Sequence, residues 1–228
     1  MATISDLGSD VQNQLEEAQG PGVFWSLNNE IFPALVEAMN ESTIITGEPQ
    51  FRAATSLFPI PTSTVFTPLA LPADAVALLR VEGPGSLAMH KYSIWDLDRQ
   101  FPGWEVAVGP TPLAWVPFGL GQFGIYPNLT APAQVILSYV QMPVPSAPPW
   151  NGMQTIPFQP EYFDGLKDAA QHYLQFKEGD PEFTQSFGPY NRFLASCEQM
   201  SNFAWRKNSL RFSRAAGASS AITETRQK

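Results

Sequence analysis

The sequence has little of the material from which redox and catalytic sites are usually built. Among 228 residues there is one cysteine, Cys197, and there are two histidines, His90 and His172. A single cysteine excludes an intrachain disulfide framework and suits a reducing compartment. The start of the chain has no basic segment followed by an apolar one, and no run approaches 18 apolar residues. We therefore expect neither a secretory signal nor a membrane span.

Charge is also scarce, and it is unevenly distributed. Charged residues make up 15% of the chain, and the net charge of −8 argues against a general electrostatic nucleic-acid binder. Residues 1–51 hold eight acidic and no basic side chains, whereas residues 205–228 hold six basic side chains against Glu224 alone. An acidic body with a basic end indicates an asymmetric partner interaction, and a merely solvated terminal tail is the alternative.

Proline is the residue in excess. Eighteen of the 22 prolines lie between Pro49 and Pro160. Because proline is poorly tolerated inside helices but acceptable at strand ends and turns, the middle of the chain is predicted to be strands and loops between helical ends. We expect strands at 64–69, 75–81, 113–117, 123–126 and 133–140, with one helical turn within 93–100.

Apolar side chains recur at three-to-four spacing near both ends of the chain. This periodicity predicts helices at 4–19, 26–39 and 160–177, and a last helix at 189–212 that begins after an interruption at Pro189. Ser5 or Asp6 is the expected cap of the first helix, and Ser26 or a following asparagine that of the second.

These elements predict an α+β fold, in which both chain ends build one helical bundle around an inserted, Pro-rich antiparallel β-sheet unit. The expected domains are 1–50 with 158–212 for the bundle and 51–157 for the β-rich insertion, including a stiff Pro-rich connector at 142–150. Residues 213–228 are expected to form an extended, flexible basic tail.

The search for chemical motifs predicts no catalytic residue, no metal site and no cofactor. Cys197 lies on an apolar helical stripe, which indicates buried packing. The glycines at 119, 121 and 124 are spaced like a dinucleotide-binding loop, but their surroundings favour a hairpin turn. Asp164, Asp168 and His172 share one helical face, which we interpret as a solvated surface rather than a ligand set.

A series of short motifs, each weak alone, occurs in an order that resembles the head-to-tail connector, or adaptor, proteins of tailed bacteriophages. The resemblance covers about residues 3–212. After an amphipathic first helix, the motifs are Trp25-Ser26, Leu71-Pro72-Ala73-Asp74, Leu78-Leu79-Arg80-Val81, Phe101-Pro102-Gly103-Trp104, Gly109-Pro110-Thr111-Pro112, Ile125-Tyr126-Pro127-Asn128, Leu137-Ser138-Tyr139-Val140 with Pro143, Ile156-Pro157, Tyr162-Phe163-Asp164-Gly165-Leu166, and Phe176-Lys177 with Asp180.

The resemblance implies a non-enzymatic structural virion protein of the neck, assembled in the host cytoplasm. Such adaptors form a ring, usually of twelve copies, that joins the portal to the tail or to a further neck protein. DNA passes through the lumen without sequence-specific binding, and the acidic excess of residues 1–51 and 161–204 would suit such a channel. The C-terminal segment of the family docks on the portal, which assigns portal docking here to Arg206, Lys207, Leu210, Arg211, Phe212 and Arg214.

A ring needs two different complementary surfaces on each copy. The candidates for inter-subunit or tail-facing loops are Phe101 with Trp104, and Pro145 with Trp150 in the connector, although both loops could simply cover the core. Two alternatives to the adaptor stay open. One is another neck or tail-tube component. The other is a small-ligand-binding module using the only dense polar cluster of the insertion: His90, Asp96, Asp98 and Arg99.

Overall fold

The computed structural model describes residues 3–19, 25–52, 58–84, 87–119, 121–143, 152–153, 155–179 and 183–203. It has the predicted α+β fold. The chain divides into two compact units, a helical unit (1–48 with 143–228) and an inserted unit (49–142). The predicted flexible tail at 213–228 lies outside the described residues. The helices are α1 (Ile4–Gln19), α2 (Phe32–Thr46), α3 (Ile94–Gln100), α4 (Phe163–Glu178) and α5 (183–203).

The first helix, α1, has the bounds that its periodicity predicts, and its apolar stripe is buried in the core of the helical unit. Its cap differs from the expected Ser5 or Asp6. The hydroxyl of Thr3 accepts a hydrogen bond from the amide of Asp6, while the Asp6 carboxylate accepts from the amide and hydroxyl of Thr3. This reciprocal arrangement satisfies two backbone donors at once, so the cap lies two residues before Ser5.

The second helical segment is capped by Ser26 and begins with a π-helical turn, Leu27–Ile31, before α2. The amides of Ile31 and Phe32 donate five residues back, and Pro33, which has no amide proton, follows in the first turn of α2. The predicted end at residue 39 is too early. The helix continues to Thr46 and is terminated by Gly47 in the left-handed conformation, at φ 70°.

The last two helices pack in the same core as α1 and α2, through Leu166, Leu174, Phe193 and Cys197 among others. The predicted interruption at Pro189 is wrong, because α5 runs without a break from 183 to 203. The carbonyl that loses its hydrogen bond to the missing Pro189 amide belongs to Gln185. Since Gln185 is exposed, water can hydrate that carbonyl, and the helix tolerates the proline.

The inserted unit holds ten short strands among the described residues. In the first sheet the long strand β10 pairs antiparallel with β1, β2 and β4. A second sheet has the order β3-β8-β7-β5, and β6 pairs with β9. The strands are β1 (Gln50–Arg52), β2 (Phe58–Ile60), β3 (Leu69–Ala70), β4 (Ala75–Glu82), β5 (His90–Lys91), β6 (Val108–Gly109), β7 (Ala114–Phe118), β8 (Gln122–Tyr126), β9 (Asn128–Leu129) and β10 (Ala133–Gln141).

The sheets are antiparallel as predicted, with two exceptions: the short pairs β5–β7 and β6–β9 are parallel. The expected strand at 64–69 is reduced to its last residue, since Thr64 and Val65 form a bend. The glycine-rich stretch does join a hairpin, in which Phe118 of β7 lies opposite Gln122 of β8. A Cβ atom added at Gly124 would lie 2.0 Å from the ring of Phe66, so this glycine permits close packing.

The point where the chain returns to the helical unit lies earlier than the expected residue 158. Ile156 and Phe158 are both buried in the helical core, and Thr3 forms an isolated antiparallel bridge with Thr155. The division of the chain places the return at Pro143, and the described residues Ile156 and Phe158 before α4 belong to the helical core. Of the Pro-rich connector, residues 144–150 lie outside the described residues.

Candidate functional site

The candidate site is built on the antiparallel pair α4 and α5. Two features fix how these helices meet. The guanidinium of Arg192 donates to both carboxylate oxygens of Asp168, at 2.6 and 2.9 Å. A Cβ atom added at Gly165 would lie 2.6 Å from the hydroxyl oxygen of Ser196, so only glycine allows this close approach. The bidentate ion pair and the close crossing hold the two helices in one register.

His172 lies inside this helix pair, which corrects the prediction of a solvated face for this residue, whereas Asp164 is exposed as predicted and Asp168 is partly buried. The residue is 9% exposed, and its Nδ1 lies 3.1 Å from the carbonyl oxygen and 3.0 Å from the hydroxyl oxygen of Ser186. Because the Ser186 hydroxyl donates to the carbonyl of Phe183, its oxygen is left to accept, and the proton belongs on Nδ1.

The two aspartates of that predicted face are engaged in ion pairs. Asp164 lies 2.7 Å from the ammonium of Lys167, which also pairs with Asp10 of α1. Burial lowers the pKa of Lys167, but the hydrogen bonds and charges of Asp164 and Asp10 together outweigh burial and leave that pKa raised. Within the described residues no group of three His, Cys, Asp or Glu side chains could hold a metal ion.

Around His172 the end of the helix pair carries an exposed cluster of phenylalanines. The rings of Phe176 and Phe183 are 5.3 Å apart, and those of Phe183 and Phe187 meet edge to face at 5.1 Å. Phe176 is 53% exposed, Phe183 37% and Phe187 46%. We call these three residues the aromatic patch. Single exposed apolar side chains are ordinary, but contiguous exposed aromatic rings are typical of interaction surfaces.

Beneath the patch, Glu41 of α2 connects three helices. Its carboxylate accepts hydrogen bonds from the hydroxyl of Tyr173 on α4 and from the hydroxyl of Tyr190 on α5, the latter at 2.8 Å. The hydrogen bond to Glu41 raises the pKa of Tyr190, and burial and the negative charge raise it further. The Tyr190 ring in turn stacks on His172, with centroids 4.4 Å apart. Glu41 therefore holds Tyr190 in place against His172, whose ring contacts Phe176 and Phe187 of the patch.

Cys197 is buried, as its position on an apolar stripe predicts. Its thiol lies 3.8 Å from the hydroxyl oxygen of Ser42, and burial is the main cause of a raised pKa for this thiol. A raised pKa lowers the thiolate fraction, which makes the sulfur a packing atom rather than a nucleophile.

The loop predicted to face a neighbouring subunit is largely part of the core of the inserted unit. Trp104 is 5% exposed and packs with Leu97 and Val116, so its ring is unavailable for an inter-subunit contact. Phe101 is half-buried against the rings of Tyr92 and Tyr126. Both side chains therefore agree with the alternative interpretation, in which this loop covers the core of the inserted unit. Pro145 and Trp150 lie outside the described residues.

The polar cluster considered for a small ligand is occupied by structural contacts. Asp96 forms a capping box with Ser93 at the start of α3, and the Ser93 hydrogen bonds lower the pKa of Asp96. Asp98 accepts a 2.7 Å hydrogen bond from the indole nitrogen of Trp104. His90 and Arg99 are exposed. A cavity of about 20 Å³ elsewhere in this unit, between Ile60 and Leu129, has room for about one water molecule.

The portal-docking residues assigned from the resemblance, Arg206 to Arg214, all lie outside the described residues. The aromatic patch was not predicted from the sequence. A signal for it exists, because Phe183 and Phe187 are four residues apart and share a helical face that the core-facing set around Phe193 and Cys197 does not use.

Comparison with protein-family models and with curated proteins found no match for this chain. None of the helices in the described ranges is both long enough and apolar enough to cross a membrane.

Proposed function

We propose that this chain is a head–tail adaptor, a structural virion protein that forms a ring between the portal and the tail of a bacteriophage. The observation that carries the proposal is the aromatic patch on an acidic helical unit whose chain continues into a basic segment. Aromatic residues are enriched in the cores of protein interfaces, and opposite charges on two ends of a chain orient a copy between two unlike partners.

The charge distribution supports this role. Residues 1–48 and 143–204 hold fifteen acidic and three basic side chains, whereas residues 205–228 hold six basic side chains and one acidic one. In the proposed adaptor the basic segment meets an acidic surface of the portal, and Phe212 supplies an apolar anchor. Repetition around a ring multiplies a weak single contact, so each copy can bind loosely while the ring binds tightly.

Residues of the motifs that carry the resemblance make structural contacts in this chain. Asp74 of the Leu71-Pro72-Ala73-Asp74 motif accepts hydrogen bonds from the Tyr139 hydroxyl and, at 2.7 Å, from the Gln141 side chain. It thereby pins the start of β4 to the end of β10. Tyr162 directly precedes α4 and is buried in the helical core. These contacts support a common fold for the motif-bearing segments, and the adaptor role is the proposal built on it.

The experiment is co-sedimentation with the portal protein of the phage that encodes this chain. Full-length protein should sediment with the portal, and protein truncated after Phe203, which lacks all six assigned docking residues, should stay behind. A full-length control, in which Arg206, Lys207, Arg211 and Arg214 are replaced by glutamine, separates charge from chain length and should bind the portal more weakly than the wild type. If neither full-length protein nor control binds the portal, the adaptor assignment fails and another neck or tail-tube component becomes the better proposal.

A further inference from the structure

The aromatic patch is exposed in a single copy of the chain, although its rings are packed against one another and against a buried histidine. Phe176, Phe183 and Phe187 touch in sequence, and the His172 ring lies 5.9 Å from Phe176 and 6.1 Å from Phe187. His172 is itself held by Ser186. The patch is therefore a preorganised apolar surface, which loses little side-chain entropy when it is covered.

The chain contains one segment whose chemistry complements this surface. Residues 205–214 combine three apolar side chains, Trp205, Leu210 and Phe212, with four basic ones, Arg206, Lys207, Arg211 and Arg214. The helical unit that carries the patch has the fifteen-to-three excess of acidic over basic side chains described above. A basic segment with apolar anchors suits an apolar patch on an acidic body.

Chain length decides which copy supplies the segment. The patch lies at the beginning of α5, and the segment follows residue 203, the last described residue of α5. A helix rises 1.5 Å per residue, so residues 183–203 separate the two by about 30 Å. A fully extended chain advances about 3.4 Å per residue, so Leu210 reaches only about 24 Å from residue 203. In its own copy, Phe187 lies about 24 Å and Phe183 about 30 Å from residue 203. Leu210 and Phe212 would span these distances only with every residue pulled straight and none used to turn the chain back along α5, so the segment cannot cover the patch of its own copy.

We propose that residues 205–212 of one copy dock on the Phe176–Phe183–Phe187 patch of a second copy. The donor segment and the acceptor patch are different surfaces, so the contact is heterologous, and each copy can give and receive once. Repeated contacts then form a ring or an open chain. The inference does not rest on the adaptor function, and in an adaptor the portal would compete with the neighbouring copy for this segment.

The test uses two full-length variants that each lack one half of the contact. The patch variant carries Phe183→Ser and Phe187→Ser, and the tail variant carries Leu210→Ser and Phe212→Ser. The matched control is Leu79→Ser, which removes an exposed apolar side chain of β4 in the inserted unit. Sedimentation velocity from about 1 to 100 µM measures association, and circular dichroism checks that each variant is folded; the half-exposed phenylalanines should tolerate serine.

Wild-type protein and the control should self-associate, and each double variant alone should associate about tenfold more weakly or worse. An equimolar mixture of the two variants should form heterodimers and nothing larger, because only one productive contact remains per pair. Wild-type protein that stays monomeric throughout the range would overturn the proposal. So would variants that associate like wild type, or a mixture that stays monomeric. None of these readouts requires a portal, so failure here is distinct from failure of the adaptor assignment.

Discussion

The Glu41 carboxylate should contribute more to the free energy of unfolding than any exposed acidic side chain on the same helix. It accepts one tyrosine hydroxyl from α4 and one from α5, so Glu41→Ala removes two hydrogen bonds and leaves two part-buried hydroxyls without a partner. Hydrogen bonds to charged groups contribute about 1.5–3 kcal/mol each, and partial exposure places these at the lower end. We expect Glu41→Ala to lower the free energy of unfolding by about 2–4 kcal/mol.

The assay is urea denaturation at pH 7 followed by circular dichroism, with Glu37→Ala as the matched control. Glu37 is exposed one turn earlier on the same helix, so its replacement should change stability by less than about 0.5 kcal/mol. A double-mutant cycle with Tyr190→Phe should show coupling with Glu41. Equal losses for Glu41→Ala and Glu37→Ala, or no coupling, would refute the role given to Glu41.

The same contact predicts an alkaline loss of stability. The hydrogen bond to Glu41 raises the pKa of Tyr190 in the folded protein above that of the unfolded chain, so the folded state keeps its proton to higher pH. The stabilisation is therefore complete below about pH 10 and is lost as the pH rises through the folded pKa. Tyr190→Phe should reduce the decline in the free energy of unfolding between about pH 9 and pH 11, the interval in which tyrosine side chains ordinarily lose their proton. An unchanged decline would contradict this assignment.

Three further changes test the packing and capping described above. Gly165→Ala should cost about 1–3 kcal/mol by overpacking, and Ser196→Gly should restore part of the loss in thermal denaturation; no rescue would place the clash elsewhere. Trp104→Ala should cost about 3–5 kcal/mol, whereas Trp95→Ala, at a ring 78% exposed, should leave the melting temperature unchanged, and similar losses for both would refute the burial of Trp104. The hydrogen bonds from Ser93 lower the pKa of Asp96, so the ionised carboxylate stabilises the wild type above about pH 4, and this contribution is lost on acidification. Asp96→Asn should therefore lower the free energy of unfolding above about pH 4 and reduce its dependence on acid pH. If the free energies of both proteins fall in parallel on acidification, the capping role is contradicted.

The parts of the fold that depend on local sequence were predictable. The period of the apolar residues specifies α1 to the residue, and proline spacing correctly marks the middle of the chain as short strands. Both signals act within a few residues, so no distant partner is needed to read them. The same holds for the glycine-rich turn between β7 and β8.

What escaped prediction depends on distant partners. The strands His90–Lys91 and Val108–Gly109 have two residues each and exist only because β7 and β9 lie beside them. The sequence of α4 alone places His172 on the polar side of the helix and so predicts that it is solvated. Its burial depends on Ser186, which belongs to α5. The local rule that proline interrupts a helix fails at Pro189, because the carbonyl that loses its partner belongs to the exposed residue Gln185, four residues earlier. The aromatic patch likewise arises only when two helices are brought together.

The most direct test of the account is electron microscopy of the full-length protein mixed with its cognate portal. The account predicts a second ring stacked on the portal, of twelve-fold symmetry, with the acidic surface of the helical unit toward the lumen and the C-terminal segment at the portal. A portal that carries no added ring at saturating protein would contradict the adaptor assignment. A ring with a basic lumen would contradict the role given to the acidic residues.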